Sequence, residues 1–286
     1  EKLLAHKRPH AAIRCLYKML HDKVVDEEQC VKALLAALNS KESHQSIDSH
    51  KTTELIKFLQ NSSTIDKEDL LNVEWGYVGL LYNNYSQAKP KFLWKKLAKD
   101  PSFFCEIIRL VYKSTKEESI KESSQQEKEI ATNAWRLLYN WNILPGIDEN
   151  GYLDEKSFKA WIQSVRVECV KAGHIKAAEM IIGEVLIHAP ADPDGMWIHR
   201  AAATVLNEES AEDIRRGYET AELNSRGVHT VDPTGKPEKD LAKKYKERAD
   251  ELENNGFYRI AVTLRSLATH YERWAERIIG EHQQWT

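Results

Sequence analysis

Apolar residues recur every three or four positions along almost the whole chain, and this spacing constrains the fold more than any other feature. The clearest segment starts with Asp26, which stands where the N-cap of a helix is expected. Its apolar side chains follow at helical spacing: Val31, Leu34, Leu35 and Leu38. No stretch shows the strict alternation of a half-buried strand. We therefore predict an all-α fold of about thirteen helices.

Capping residues place several helix boundaries. Asp100 and Pro101 are typical of an N-cap followed by the first helical residue, and Asp154 is a second N-cap. Gly173 is expected to end the helix that follows Asp154. Ser210, three residues before Asp213, resembles a capping box. A longer apolar segment, 64–85, has too broad a stripe for a helix with one solvated side, and we expect it at the centre of the first half of the chain.

Short connections favour antiparallel packing of successive helices, which predicts an irregular helix-pair array resembling an α-solenoid without a fixed repeat. We divide the chain into an N-terminal helical subdomain, 1–113, and a C-terminal one, 130–286. Between them, 114–129 contains Ile120 as its single apolar residue. Because such a stretch gains little from burial, we expect a polar linker, either a mobile loop or the solvated start of a helix.

Composition implies that any binding site for an anionic partner must be local. The chain has 41 Lys and Arg residues against 44 Asp and Glu residues, so no general attraction to nucleic acid or to an anionic membrane follows. No apolar run could span a bilayer, and the first residues do not resemble a signal peptide. Four cysteines without metal-ligand spacing suggest reduced core residues and a cytoplasmic protein. The absence of an initial Met suggests a fragment of a longer protein.

The region 180–229 combines sharp turns with aromatic and basic side chains, and we expect five of them to form a concave patch: Trp197, His199, Arg200, Arg226 and His229. Trp and Arg are enriched at binding hot spots, so a partner protein could be held here, with Lys236 and Lys239 at the rim. The alternative is structural: Trp197 is buried and the arginines pair with acids, which is the interpretation we favour.

A second candidate surface is a basic face that carries no acid: Lys89, Lys91, Lys95, Lys96 and Lys99. Such a face can neutralise phosphates, which makes nucleic-acid binding an alternative function. Solvated lysine-rich helix faces are nevertheless much commoner than nucleic-acid sites. We therefore rank protein binding first.

No catalytic motif is present, and we predict no catalytic, cofactor-binding or metal-ligating residue. His174, His188 and His199 are too far apart in sequence for a typical zinc site. The turn at Asp148 resembles a calcium loop, but a register with Gly151 in the sixth position leaves the first and twelfth positions without carboxylates. An unrecognised enzyme that uses the His/Arg cluster remains a further alternative.

Several motifs resemble the C-terminal helical region of large uncharacterised bacterial proteins. They begin with Phe92-Leu-Trp, Asp100-Pro and Ala134-Trp-Arg-Leu-Leu, and continue with His188-Ala-Pro and Asn224-Ser-Arg-Gly-Val. The resemblance spans most of 90–275. It implies a bacterial origin and transfers no activity, cofactor or site residue.

These observations lead to one functional hypothesis. We expect a helical protein-binding or scaffolding region of a larger bacterial protein, and a defence or regulatory system is the setting we suggest. Its partner is expected to be a separate protein or another domain of the same polypeptide, with no role for a membrane.

Overall fold

A computed structural model describes residues 1–40, 48–82, 88–116, 124–228 and 230–283, and the all-α prediction is confirmed for them. The described residues contain no strand, only one isolated antiparallel bridge between Ile147 and Leu153. Fifteen helices are seen in these ranges: α1 (Lys2–Ala5), α2 (Pro9–His21), α3 (Glu27–Leu38), α4 (Ser49–Leu59), α5 (Lys67–Gly76), α6 (Val78–Leu81), α7 (Lys91–Lys99), α8 (Pro101–Val111), α9 (Gln125–Tyr139), α10 (Glu155–Ala172), α11 (Ile175–Leu186), α12 (Arg200–Asn207), α13 (Glu212–Ser225), α14 (Lys236–Asn254) and α15 (Tyr258–Gln283). None of them is both long and apolar enough to cross a bilayer.

The helices form two compact units. Unit 1 comprises 1–97 and 120–141, and unit 2 comprises 98–119 and 142–286. The sequence suggested a single cut near 114–129, but contacts assign α8 to unit 2 and α9 to unit 1. Sequence order could not show this, because each unit is built from two separate pieces of the chain.

The expected linker is more ordered at its ends than its composition suggests. Thr115 donates its backbone N–H to the carbonyl of Gly173 at 2.9 Å. At the other end, Ser124 and Glu127 form a capping box that starts α9, whose first turns are exposed. Of the two alternatives for this linker, the solvated start of a helix applies to 124–129. Residues 117–123 lie outside the described residues.

In unit 1, aspartates cap the helices α3, α4 and α5, and large aliphatic side chains fill the core. Asp26 accepts a hydrogen bond from the backbone N–H of Gln29 at 2.9 Å, as its sequence position predicted. The buried core joins α2 to α6 and includes fully buried side chains from three helices: Leu34, Leu55, Ile56, Leu59 and Leu81. The segment 64–85 contributes two helices to this core, because the chain leaves helical geometry at Tyr77, where φ is -109° and ψ is 14°.

Unit 1 also contains a buried acid that caps a helix from outside it. Glu74 of α5 has no exposed surface, and its carboxylate accepts the backbone N–H groups of Phe92 and Leu93, both at 2.9 Å. The side-chain amide of Gln60 donates to the same carboxylate at 2.5 Å. Burial raises the pKa of Glu74 to about 7, against the lowering effect of these donors. The start of α7 is thus fixed by a group that titrates near neutrality.

Several helix boundaries predicted for unit 2 are confirmed. Asp100 caps α8, Asp154 caps α10, and Gly173 ends α10 in the left-handed region with φ 75°. The capping box expected at Ser210 is wrong, since α13 starts after Ala211 without a side-chain cap. The guanidinium of Arg215 instead closes this turn by donating to two backbone carbonyls near the end of α12.

Two glycines let α11 and α13 pack with their backbones in contact. A Cβ atom on Gly183 would lie 2.0 Å from the carbonyl oxygen of Ile214, and one on Gly217 would lie 2.0 Å from that of Met180. Neither glycine has positive φ, so each is needed for space rather than for backbone conformation. This crossing holds together two helices that are separated in sequence by α12.

The longest described helix, α15, packs along its neighbours in unit 2. It contacts α12, α13 and α14, and its contact with α14 is the most extensive of these. Tyr245 of α14 and Tyr271 of α15 stack with ring centroids 5.6 Å apart. Stacking and apolar burial therefore fix the pair formed by these helices.

Candidate functional site

The candidate patch begins with a turn that closes on itself. His199 donates its backbone N–H to the carbonyl of Pro190 at 2.7 Å. The buried carboxylate of Asp192 accepts the backbone N–H groups of Asp194 and Arg200 at 3.0 and 2.6 Å. These bonds orient the segment so that Met196 is buried while Trp197 is only partly so.

Trp197 lies against a cation from another helix. The guanidinium of Arg248 in α14 is 4.1 Å from the centroid of its ring. The indole Nε1 is buried and has no hydrogen-bond partner among the described residues. A buried indole N–H normally finds an acceptor, and this one does not. The favourable part of the contact is therefore the attraction between the cation and the face of the ring.

The same arginine approaches a carboxylate that accepts hydrogen bonds from two tyrosine hydroxyls. Arg248 is 4.0 Å from Glu222, whose two carboxylate oxygens accept the hydroxyls of Tyr218 and Tyr245, each at 2.8 Å. Burial raises the pKa of both tyrosines, so they stay protonated and act as donors. The cluster stabilises a carboxylate inside unit 2, and its hydrogen bonds are satisfied internally.

Arg226 occupies a different place from Trp197. Its Nη2 is 2.6 Å from Glu238 Oε1, and its guanidinium carbon lies 5.1 Å from the ring centroid of Trp274. Glu238 and Arg248 are ten residues apart on α14, which is roughly 15 Å along the helix axis. The contacts of Arg226 and those of Trp197 thus lie at different positions along α14, and the concave patch stays a prediction.

The other described members of the expected patch each have contacts of their own. His199 caps α12 by accepting the backbone N–H of Ala201, and the guanidinium of Arg200 lies 5.9 Å from the ring centroid of Phe257. At the rim, Lys236 pairs with Asp240 at 2.8 Å and Lys239 is exposed. His229 lies outside the described residues. As the structural alternative anticipated, Arg226 pairs with an acid.

The residues considered for metal binding have separate roles. His174 approaches the carbonyl of Tyr112 at 3.0 Å through Nε2, whereas His188 is exposed. In the described part of the chain no three metal-ligating side chains converge. Asp148 accepts the backbone N–H groups of Asn150 and Tyr152, both at 2.8 Å, so this carboxylate shapes its own turn.

The basic face lies on α7 and the residues before it. Lys91, Lys95 and Lys99 are exposed and follow one another at intervals of four, so they share one side of the helix. Lys89 and Lys96 are partly buried. The helix buries Leu93 and Leu97 on its other side.

An exposed aromatic cluster, formed by Tyr82, Trp135 and Tyr139, is the feature that the sequence analysis missed. The ring centroids lie 5.8, 5.9 and 5.1 Å apart, so each ring contacts the other two. Trp135 is 41% exposed and Tyr139 57% exposed. A signal was present: these two residues are four apart on α9 and lie outside its apolar stripe.

Comparison with known proteins identifies no relative. No family model, no curated protein and no solved structure matches the chain. The function is therefore argued from the geometry of the described residues.

Proposed function

We propose that the chain is a helical protein-binding or scaffolding region that holds its partner through the aromatic cluster. The observation that carries this proposal is the exposure of Trp135 and Tyr139 beside a third ring. Large aromatic side chains dominate binding energy where they become buried by a partner. Two of them left in water on one helix face represent apolar surface that a partner could cover.

Contacts within unit 1 support the rings of the cluster. Its rings support one another, and the guanidinium of Arg136 lies 6.0 Å from the ring centroid of Tyr82. The side chain of Asn140 donates to the carbonyl of Tyr82 at 3.4 Å, which joins α9 to the end of α6. A surface held in one conformation loses little entropy on binding, so more of the contact energy appears as affinity.

Close approach of α6 and α9 explains why the cluster forms. A Cβ atom on Gly79 would lie 2.7 Å from Nη1 of Arg136, so a side chain there would displace the arginine that backs Tyr82. The guanidinium of Arg136 places a positive charge beside the rings. The partner we propose therefore presents an apolar surface bordered by an acidic group.

The motif resemblance supports the wider setting. The partner in this proposal is a second domain of the same polypeptide or a separate protein. The defence or regulatory role stays part of the proposal, without a residue that argues for it.

The test compares the wild-type chain with a double variant, Trp135→Ala with Tyr139→Ala, as bait in an extract of the source cells. Tyr152→Ala is the matched control, because Tyr152 is 71% exposed and belongs to no aromatic cluster. We expect one set of proteins bound by wild type and control to be absent from the double variant. Loss of hot-spot contacts worth about 2 kcal/mol weakens binding roughly 30-fold.

Melting temperatures separate binding from folding in this test. Because both rings are about half exposed, the double variant is expected to unfold within a few degrees of the wild type. An identical set of bound proteins for all three chains, with unchanged melting, would overturn the proposal.

Nucleic-acid binding is a second candidate, supported by the exposed spacing of Lys91, Lys95 and Lys99. Fluorescence anisotropy with a short single strand and a short duplex tests it across a series of salt concentrations. Each phosphate contact contributes a slope of about 0.7 to 0.9 in log K against log salt, so Lys95→Ala is expected to lower the slope by about that amount.

A further inference from the structure

Two thiols meet inside unit 2. Cys105 of α8 and Cys169 of α10 have their sulfur atoms 3.4 Å apart, and each side chain is about 1% exposed. A disulfide bond would require the sulfur atoms to approach by only roughly 1.4 Å more. The two remaining cysteines differ from this pair, since Cys15 is exposed, contrary to the expected core position, and Cys30 is buried elsewhere in unit 1.

Contacts on both sides of the thiols hold α8 and α10 in this register. Glu168, the neighbour of Cys169, pairs with Arg109 at 3.0 Å and accepts the hydroxyl of Ser102 at 3.3 Å. Beyond the end of α8, the hydroxyl of Ser114 donates to the carbonyl of Ala172 at 2.7 Å. The helices are therefore fixed at points before and after the sulfur atoms, and these contacts hold the two thiols next to each other.

The contact also divides the chemical roles of the two sulfurs. The hydrogen bond between them, together with burial, raises the pKa of Cys105, whereas the same bond lowers the pKa of Cys169. Cys169 is thus the first of the pair to ionise, and its sulfur lies beside the Cys105 thiol, which keeps its proton. The thiolate is the nucleophilic form of cysteine.

We propose that Cys105 and Cys169 are an oxidant-sensitive pair that hydrogen peroxide converts into an intramolecular disulfide. Burial excludes a bulky disulfide oxidant, whereas a peroxide is about the size of two water molecules. The Cys169 thiolate attacks one peroxide oxygen: the S–O bond forms, the O–O bond breaks and hydroxide leaves. The Cys105 sulfur then attacks the sulfur of Cys169, the S–O bond breaks, and the departing oxygen leaves as water.

Atoms and electrons balance in this sequence. Two thiols and one hydrogen peroxide give one disulfide and two water molecules, and the two electrons lost by the thiols reduce the peroxide. The new bond joins residues 64 apart in the chain. Closing a loop of this length restricts the unfolded chain, so we expect the melting temperature of unit 2 to rise by about 10 °C.

The test uses the full chain with Cys15→Ser, which removes the exposed thiol and prevents links between molecules. After treatment with hydrogen peroxide, the denatured protein is alkylated and its peptides are mapped without reduction. We expect a linked peptide pair containing Cys105 and Cys169, a mass lower by two hydrogens, and a higher melting temperature that dithiothreitol reverses. A further Cys30→Ala change is the matched control and is expected to leave all three results intact.

In the wild-type protein, oxidation of the exposed Cys15 measures the oxidant dose. If both thiols of the pair are fully alkylated at a dose that oxidises all of Cys15, the proposal is wrong. Conversion of either cysteine to sulfinic acid without a linked peptide overturns it equally. All of these measurements use chains that keep both cysteines, so they do not depend on the folding of a variant that lacks one of them.

Discussion

An alanine at position 217 would put a methyl group where the backbone of α11 already lies. The added Cβ atom would be 2.0 Å from the carbonyl oxygen of Met180, and real Cβ atoms essentially never come within 3.0 Å of another heavy atom. Since the obstacle is backbone, no side chain can rotate away. The helices α11 and α13 must separate by about 1 Å, which loosens every contact along their crossing.

The magnitude follows from two opposing effects. Overpacking a close-packed site typically destabilises by 1–3 kcal/mol and occasionally more, and a backbone obstacle supports a value of about 4 kcal/mol. Alanine recovers about 1 kcal/mol relative to glycine inside a helix. We therefore expect Gly217→Ala to lower the free energy of unfolding by about 3 kcal/mol, with a fall of about 10 °C in melting temperature.

Urea unfolding followed by circular dichroism measures this change, and Gly280→Ala is its control. Gly280 lies on α15, and a Cβ atom there would meet no heavy atom of another described segment within 4 Å. This control is expected to be neutral or up to about 1 kcal/mol more stable. If Gly217→Ala unfolds at the same urea concentration as Gly280→Ala, the crossing tolerates separation and the steric argument fails.

Three other predictions concern acids. Between pH 4.5 and 7 the folded chain keeps a proton on Glu74 that the unfolded chain releases. The free energy of unfolding is therefore expected to fall by about 3 kcal/mol as pH rises through this window. Urea unfolding at a series of pH values should show a smaller change for Glu74→Gln. Glu238→Ala leaves Arg226 without its buried partner and should destabilise by about 3–5 kcal/mol, whereas Asp240→Ala, at an exposed pair, should change stability by less than about 1 kcal/mol in the same assay. Equal effects of these two variants would contradict the burial argument. Calorimetry is expected to find no stoichiometric calcium site at Asp148, and a micromolar site lost in Asp148→Ala would reverse that expectation.

The candidate sites show where inference from the sequence stopped. The sequence suggested that Arg226 pairs with an acid, and the structure shows that this acid is Glu238. Trp135 and Tyr139 passed unnoticed because their helix already had a convincing apolar stripe. Whether a side chain of α9 is exposed depends on which other helices cover it. The residues of α9 alone do not show this.

The sequence by itself determined the helical class and most helix boundaries, including Asp26, Asp100, Asp154 and Gly173. These features depend on residues within about four positions of one another, through capping bonds and the period of the apolar face. Only the tertiary structure decided which helices share a unit, that two glycines meet a neighbouring backbone, and that two cysteines 64 residues apart touch. Those outcomes depend on packing between distant segments, and no local pattern records which face of a helix meets which partner.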